Sequence, residues 1–161
     1  MQLWHYTTLP AFDAILRDEQ IRPFSKHHGL DLFGRLEEYV DPQERPIVWA
    51  SANQHWESSW STVVDGIGRT RRVGMAEYAE VCGGLVRIGI DPADAPLDWD
   101  ALKRTSGMCP KLARALERPG VCAHDWYYGT FDPIPQSRWL GVQAYSITAG
   151  AWIPIEYVER G

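Results

Sequence analysis

Gln2 to Tyr6 is an aromatic-rich run closed by the Thr7-Thr8 pair, and it predicts a short first strand. Thr8 is a residue type that caps helices, Pro10 is tolerated in a first turn, and Phe12, Ile15 and Leu16 make one apolar stripe at helical spacing. A helix is therefore expected over Pro10 to Gln20, ended by Ile21-Arg22-Pro23. Ser25 to Pro46 carries charge, Gly and Pro without apolar period and reads as a long loop, the kind used as a lid or binding segment. In Ile47-Val48-Trp49-Ala50 bulky residues follow one another without alternation, which predicts a central strand buried on both faces. Ser51-Ala52-Asn53 breaks that strand and can cap a short helix carrying Trp56, Glu57 and Trp60.

The second half alternates the same two periods. Gly66 to Gly74 reads as a Gly/Arg loop, Met75 to Val81 as a short helix stopped by Gly83-Gly84, and Leu85 to Ile90 as a strand with Arg87 between Val86 and Ile88. Arg87 is expected to be exposed or paired. Two helical pieces follow, Asp98 to Lys103 and one starting near Pro110 and ending at Pro119-Gly120. Trp126 to Phe131, Trp139 to Ile147 and Trp152 to Val158 read as strands. Helices thus interrupt about six strands in a single α+β domain over residues 1–161. The regular βαβ alternation and Gly-rich turn of a dinucleotide-binding Rossmann unit are missing, and so is the P-loop motif.

Composition narrows the function classes. With 45% hydrophobic and 23% charged residues the 161-residue chain is of globular type, and it buries roughly 70% of its unfolded surface without needing staples. No apolar run reaches the length of a membrane span and the first residues carry no leader pattern, so a cytoplasmic protein without a membrane partner is expected. The net charge of −5 runs against binding nucleic acid mainly through phosphate neutralisation, leaving Arg69-Thr70-Arg71-Arg72 as a local basic cluster. Cys82, Cys109 and Cys122 are odd in number and widely spaced, as reduced thiols would be. Eight Trp are unusual, and Trp4, Trp99, Trp126, Trp139 and Trp152 are assigned to core or groove edges.

Most chemistry can be set aside. The five His, including adjacent His27-His28, never stand at metal-ligand spacing, so no metal is expected. No nucleophile elbow is present, and Glu37-Glu38 and Asp98-Asp100 read as solvated charge. What remains is a first strand ending in His5-Tyr6-Thr7, an apolar strand reading Val48-Trp49-Ala50-Ser51, and Trp56 to Trp60 directly after it. An imidazole bonded to backbone at the strand edge is the plain structural use of such a His.

These blocks resemble the ADP-ribosyltransferase superfamily of the His-Tyr-Glu type, which includes poly-ADP-ribose polymerases and diphtheria toxin. That family's first strand reads H-G-[ST], matched here by His5-Tyr6-Thr7 with Tyr6 in place of Gly. Its second block, I-Y-F-A and a Ser-rich helix, is matched by Ile47 to Ala50 and Ser51 to Trp60, with Val48 where the family has Tyr. Its late Glu falls on the strand Trp139 to Ala144, which offers Gln143; Glu156 and Glu57 are the substitutes. The segments Pro46 to Trp60 and Gly83 to Trp139 are also similar to uncharacterised bacterial proteins that begin H-Y-T and carry V-W-x-S.

The resemblance implies a split sheet with short helices, NAD as substrate, no metal, and an unknown macromolecular or small-molecule acceptor. It also implies roles. His5 anchors the adenosine side, Tyr6 lends its backbone, Thr7 and Ser51 make ribose and amide bonds, and Trp49 or Trp60 holds the nicotinamide face. Arg71 or Arg72 meets the pyrophosphate, as guanidinium forks do. Gln143, Glu156 or Glu57 fills the acidic position. A small bacterial or phage effector, toxin or defence protein is the setting such domains suggest. The alternative from another class is a non-catalytic nucleotide- or peptide-binding module on the same fold, which Gln143 favours because an amide cannot act as a general base.

Overall fold

Thr8 ends one element and starts the next: its hydroxyl accepts from the Ala11 amide at 3.3 Å, capping helix α1 (Leu9–Asp18) directly behind strand β1 (Leu3–Thr8). The helix stops at Glu19, which takes the left-handed conformation at φ 53°. A computed structural model describes residues 1–24, 26–30, 36–40, 43–56, 62–64, 66–67, 69–117 and 119–157.

The protein is α+β. Along the chain follow β2 (Gln20–Ile21), β3 (Lys26–Leu30), β4 (Leu36–Val40), β5 (Val48–Ser51), β6 (Thr62–Val64), β7 (Thr70–Arg72), α2 (Met75–Cys82), β8 (Leu85–Ile90), β9 (Leu97–Asp98), α3 (Trp99–Thr105), α4 (Pro110–Leu116), α5 (Ala123–Trp126), β10 (Tyr127–Thr130), β11 (Ile134–Pro135), β12 (Trp139–Ser146) and β13 (Ala151–Pro154). Seven of these strands form one antiparallel sheet in the order β13-β12-β8-β1-β5-β10-β9. The first strand thus lies at its centre, flanked by elements more than 40 residues away.

Register assigns the faces, because side chains alternate along a strand. Leu3, Val48, Ala50, Val86, Ile88 and Val142 share one face and pack under Phe12 of α1 into the larger core. Trp4, Tyr6, Trp49, Ser51, Arg87 and Gln143 lie on the other. There Trp49 joins a second core of Ile47, Trp99, Leu102 and Tyr127. Gly129 lets β10 approach β5: a Cβ there would stand 2.8 Å from Ile47 Cγ2 and 2.9 Å from the Val48 carbonyl.

Several local expectations are corrected. The stretch read as a loop from Ser25 to Pro46 contains the β3–β4 hairpin, and the Gly/Arg loop contains β7, paired with β6. Neither hairpin joins the main sheet, so neither carries the strong apolar alternation of a strand that covers a core. No helix follows Ser51 through residue 56; Glu57 and Trp60, with Ser58 and Ser59, lie outside the described residues. Trp126 ends a helical turn before β10 starts at Tyr127. Trp4, Trp99 and Trp139 are buried and Trp126 and Trp152 half-buried, as assigned. No helix among the described residues is long and apolar enough to cross a membrane.

Candidate functional site

β1 pairs with β8 along its whole length but meets β5 at one register pair, Trp4↔Ser51. Beyond that pair a side chain takes over from the ladder: Nδ1 of His5 lies 2.8 Å from the carbonyl oxygen of Trp49. A carbonyl only accepts, so Nδ1 carries the proton and the neutral ring keeps Nε2 as an acceptor. Burial lowers the His5 pKa below its ordinary 6.5, and the bond to Trp49, which acts the other way, is the smaller influence. The imidazole is therefore neutral at pH 7 and wedges the sheet where β1 and β5 stop pairing.

That shift sets a pH dependence. Below pH 6.5 the unfolded chain protonates this His while the folded chain resists, so the unfolded state binds more protons and stability falls as pH falls. His5→Gln, which keeps an amide donor for Trp49, is expected to remove part of the loss between neutral and mildly acidic pH. Thermal melts of both proteins across that range check it; equal slopes would show that His5 does not titrate in this way.

On the face opposite His5, aromatic rings surround one cation. The Arg87 guanidinium sits 4.0 Å from the ring centre of Trp4 and 4.7 Å from that of Trp152, and the residue is only 8% exposed. Nε and Nη2 donate to Oε1 of Gln143 at 2.8 and 2.6 Å, and Nη1 donates to the Gln54 carbonyl at 2.5 Å and weakly to the Tyr6 hydroxyl at 3.5 Å. Tyr6 packs edge-on against Trp56, and Trp56 stacks on Trp152 at 6.5 Å. Tyr6 also donates to the Asn53 carbonyl at 2.6 Å. The segment after β5 is tied down over this cluster from three strands: Trp4 Nε1 donates to Gln54 Oε1, Arg87 to the Gln54 carbonyl, and Trp152 Nε1 to the His55 carbonyl.

The expected site residues separate accordingly. Tyr6, Trp49, Ser51 and Gln143 share a face, with Gln143 two strands from Tyr6 across Arg87, whereas His5 and Thr7 belong to the opposite register. Thr7 and Ser51 are buried, and the Ser51 hydroxyl accepts from the Asn53 amide at 3.1 Å. Trp49 is held among Trp99 and Tyr127 at 6.4 and 6.0 Å. Arg71 bonds Glu77 and Arg72 is exposed, both on the β6–β7 hairpin outside the main sheet. Glu156 is exposed, two residues past Pro154, which pairs with Gln143. Glu57 and Trp60 lie outside the described residues.

Of the two alternatives for Arg87, exposed or paired, the second holds: it is hydrogen-bonded to Gln143, Gln54 and Tyr6 and, among the described residues, not salt-bridged. It is buried because β8 lies between β1 and β12 and is buried along all six residues. The signal for its burial was its place between Val86 and Ile88 in the otherwise apolar and glycine-containing run Leu85 to Ile90. Two shallow grooves lie elsewhere, one of about 510 Å³ beside Arg22, Arg45 and Phe131 and one of about 530 Å³ beside Lys103 and Cys122. No group of three or more potential metal ligands is found among the described residues. No family model matches this chain, and neither a curated protein nor a solved structure matches it.

Proposed function

We propose that the protein is an ADP-ribosyltransferase-like domain that takes NAD and breaks its bond to nicotinamide. The observation that supports this reading most is the interrupted pairing of β1 and β5, with His5 held as the Nδ1–H tautomer at the interruption and Tyr6, Trp49 and Ser51 of the same two strands on the other face of the sheet. In such a site Nε2 of His5 accepts from a ribose hydroxyl, and the aromatic side chains offer faces for the nicotinamide ring. Oε1 of Gln143 is engaged by Arg87, so this amide offers its N–H donors to the second ribose. Cleavage breaks the C1′–N bond, nicotinamide leaves neutral with the bonding pair, and the oxocarbenium carbon is captured by an acceptor or water, whose proton passes to solvent. Positioning and polar stabilisation carry such a step.

A second reading is favoured by one contact. Where the resemblance asks for a carboxylate, the chain has an amide whose oxygen is already held by a guanidinium, which suits a module that binds a nucleotide without consuming it. Chromatography of nicotinamide released from NAD, alongside His5→Ala, separates the two. The enzyme reading expects release that His5→Ala abolishes. No release with a raised melting midpoint in NAD supports the binding module, since a ligand selective for the folded state must raise it. Neither effect would overturn both.

A further inference from the structure

A guanidinium taken out of water is ordinarily compensated by a carboxylate. Arg87 has none among the described residues: its hydrogen-bond partners are the oxygens of Gln143, Gln54 and Tyr6, all neutral, and its flanks are the rings of Trp4 and Trp152. One of those oxygens, the Gln54 carbonyl, belongs to a segment whose outer residues Gln54 and His55 are exposed. The Gln54 side chain ties the cover to β1 through Trp4 Nε1 at 2.8 Å and the Gln2 carbonyl at 2.9 Å, beside the bonds of Tyr6 to the Asn53 carbonyl and Trp152 Nε1 to the His55 carbonyl. Tyr145, 5.5 Å from Trp152, extends the aromatic wall along β12.

We propose that Arg87 is the anion-binding residue of this face, that its ligand is a diphosphate-bearing nucleotide, and that the Gln54 carbonyl occupies the position of a phosphate oxygen until the segment 52–56 lifts. A rigid fork between aromatic rings suits a phosphate whose attached base or nicotinamide can stack. The inference rests on the NAD reading for the identity of the nucleotide, and it moves the pyrophosphate contact from Arg71 and Arg72 to Arg87. Because the cover competes with the ligand, the apparent affinity is the intrinsic one reduced by the fraction of uncovered molecules.

Inorganic pyrophosphate is the probe, read by tryptophan fluorescence and by the thermal midpoint of the whole chain. Wild type is expected to respond with saturation at millimolar pyrophosphate. Gln54→Ala, which removes the side-chain ties of the cover to β1 and leaves Arg87 in place, is expected to bind roughly fivefold to tenfold tighter, and Arg87→Gln to lose the response. Should Arg87→Gln fail to fold, the Gln54→Ala arm still decides. No response in either wild type or Gln54→Ala, or equal affinity in the two, overturns the inference. A pyrophosphate response without nicotinamide release leaves it standing and removes the enzyme reading; nicotinamide release without a pyrophosphate response does the opposite.

Discussion

Replacing Gln143 with Leu is expected to cost about 3 kcal/mol of stability, a fall in melting midpoint of roughly 6–12 °C for a chain of this size. The reason is local. Oε1 of Gln143 accepts two of the Arg87 hydrogen bonds, at 2.8 and 2.6 Å, and a leucine there strands a guanidinium that is 8% exposed. Gln143→Glu should move the other way, stabilising by about 1–2 kcal/mol near neutral pH, because the new carboxylate supplies a counter-charge that this guanidinium lacks among the described residues. Its carboxyl pKa would be held down by Arg87. The gain is therefore present above the unfolded carboxyl pKa and lost as pH falls through the lowered folded one. Denaturant melts of the three proteins at two pH values check both signs; a destabilising Gln143→Glu would show that Arg87 is already compensated.

Trp99→Ala is expected to cost about 3–5 kcal/mol, the largest single loss in the second core. Trp99 is fully buried, packs 5.4 Å from Tyr127 and 6.4 Å from Trp49, and donates through Nε1 to Glu117 at 2.6 Å. Its removal opens space behind β5, the strand that carries Trp49 and Ser51 beside the interruption. Trp99→Phe, which keeps a ring but loses the Nε1 donor, should recover more than half of that loss. Urea unfolding measures both, and a Trp99→Ala loss below about 1 kcal/mol would mean that this core collapses onto the cavity.

Much of the fold was legible because the main-sheet strands carry their own patterns. Ile47 to Ala50 is a continuous apolar run, Leu85 to Ile90 an apolar run that holds Arg87 and Gly89, and both prove to be interior strands. Thr8, Pro10 and the Phe12-Ile15-Leu16 stripe mark α1 through its cap and its buried face. What was hidden depends on pairing between distant strands. Whether Arg87 is wet or dry is decided by β1 and β12 lying on its two sides, which no local window contains. The same holds for the site. His5 next to Tyr6 is a sequence fact, but their opposite faces follow from strand alternation, and only the β12 register puts Gln143 with Tyr6. The Gln54 cover left no trace in hydrophobic period, because polar side chains and a backbone carbonyl make it.

The most direct test of the central claim is a calorimetric titration of NAD into the purified protein and into His5→Ala. A site at the β1–β5 interruption predicts saturable one-to-one binding to the wild type, weakened at least about tenfold in the variant, at a temperature well below the melting midpoint of both. Absence of heat with NAD under conditions where the protein is folded, or identical affinity in the variant, would contradict it.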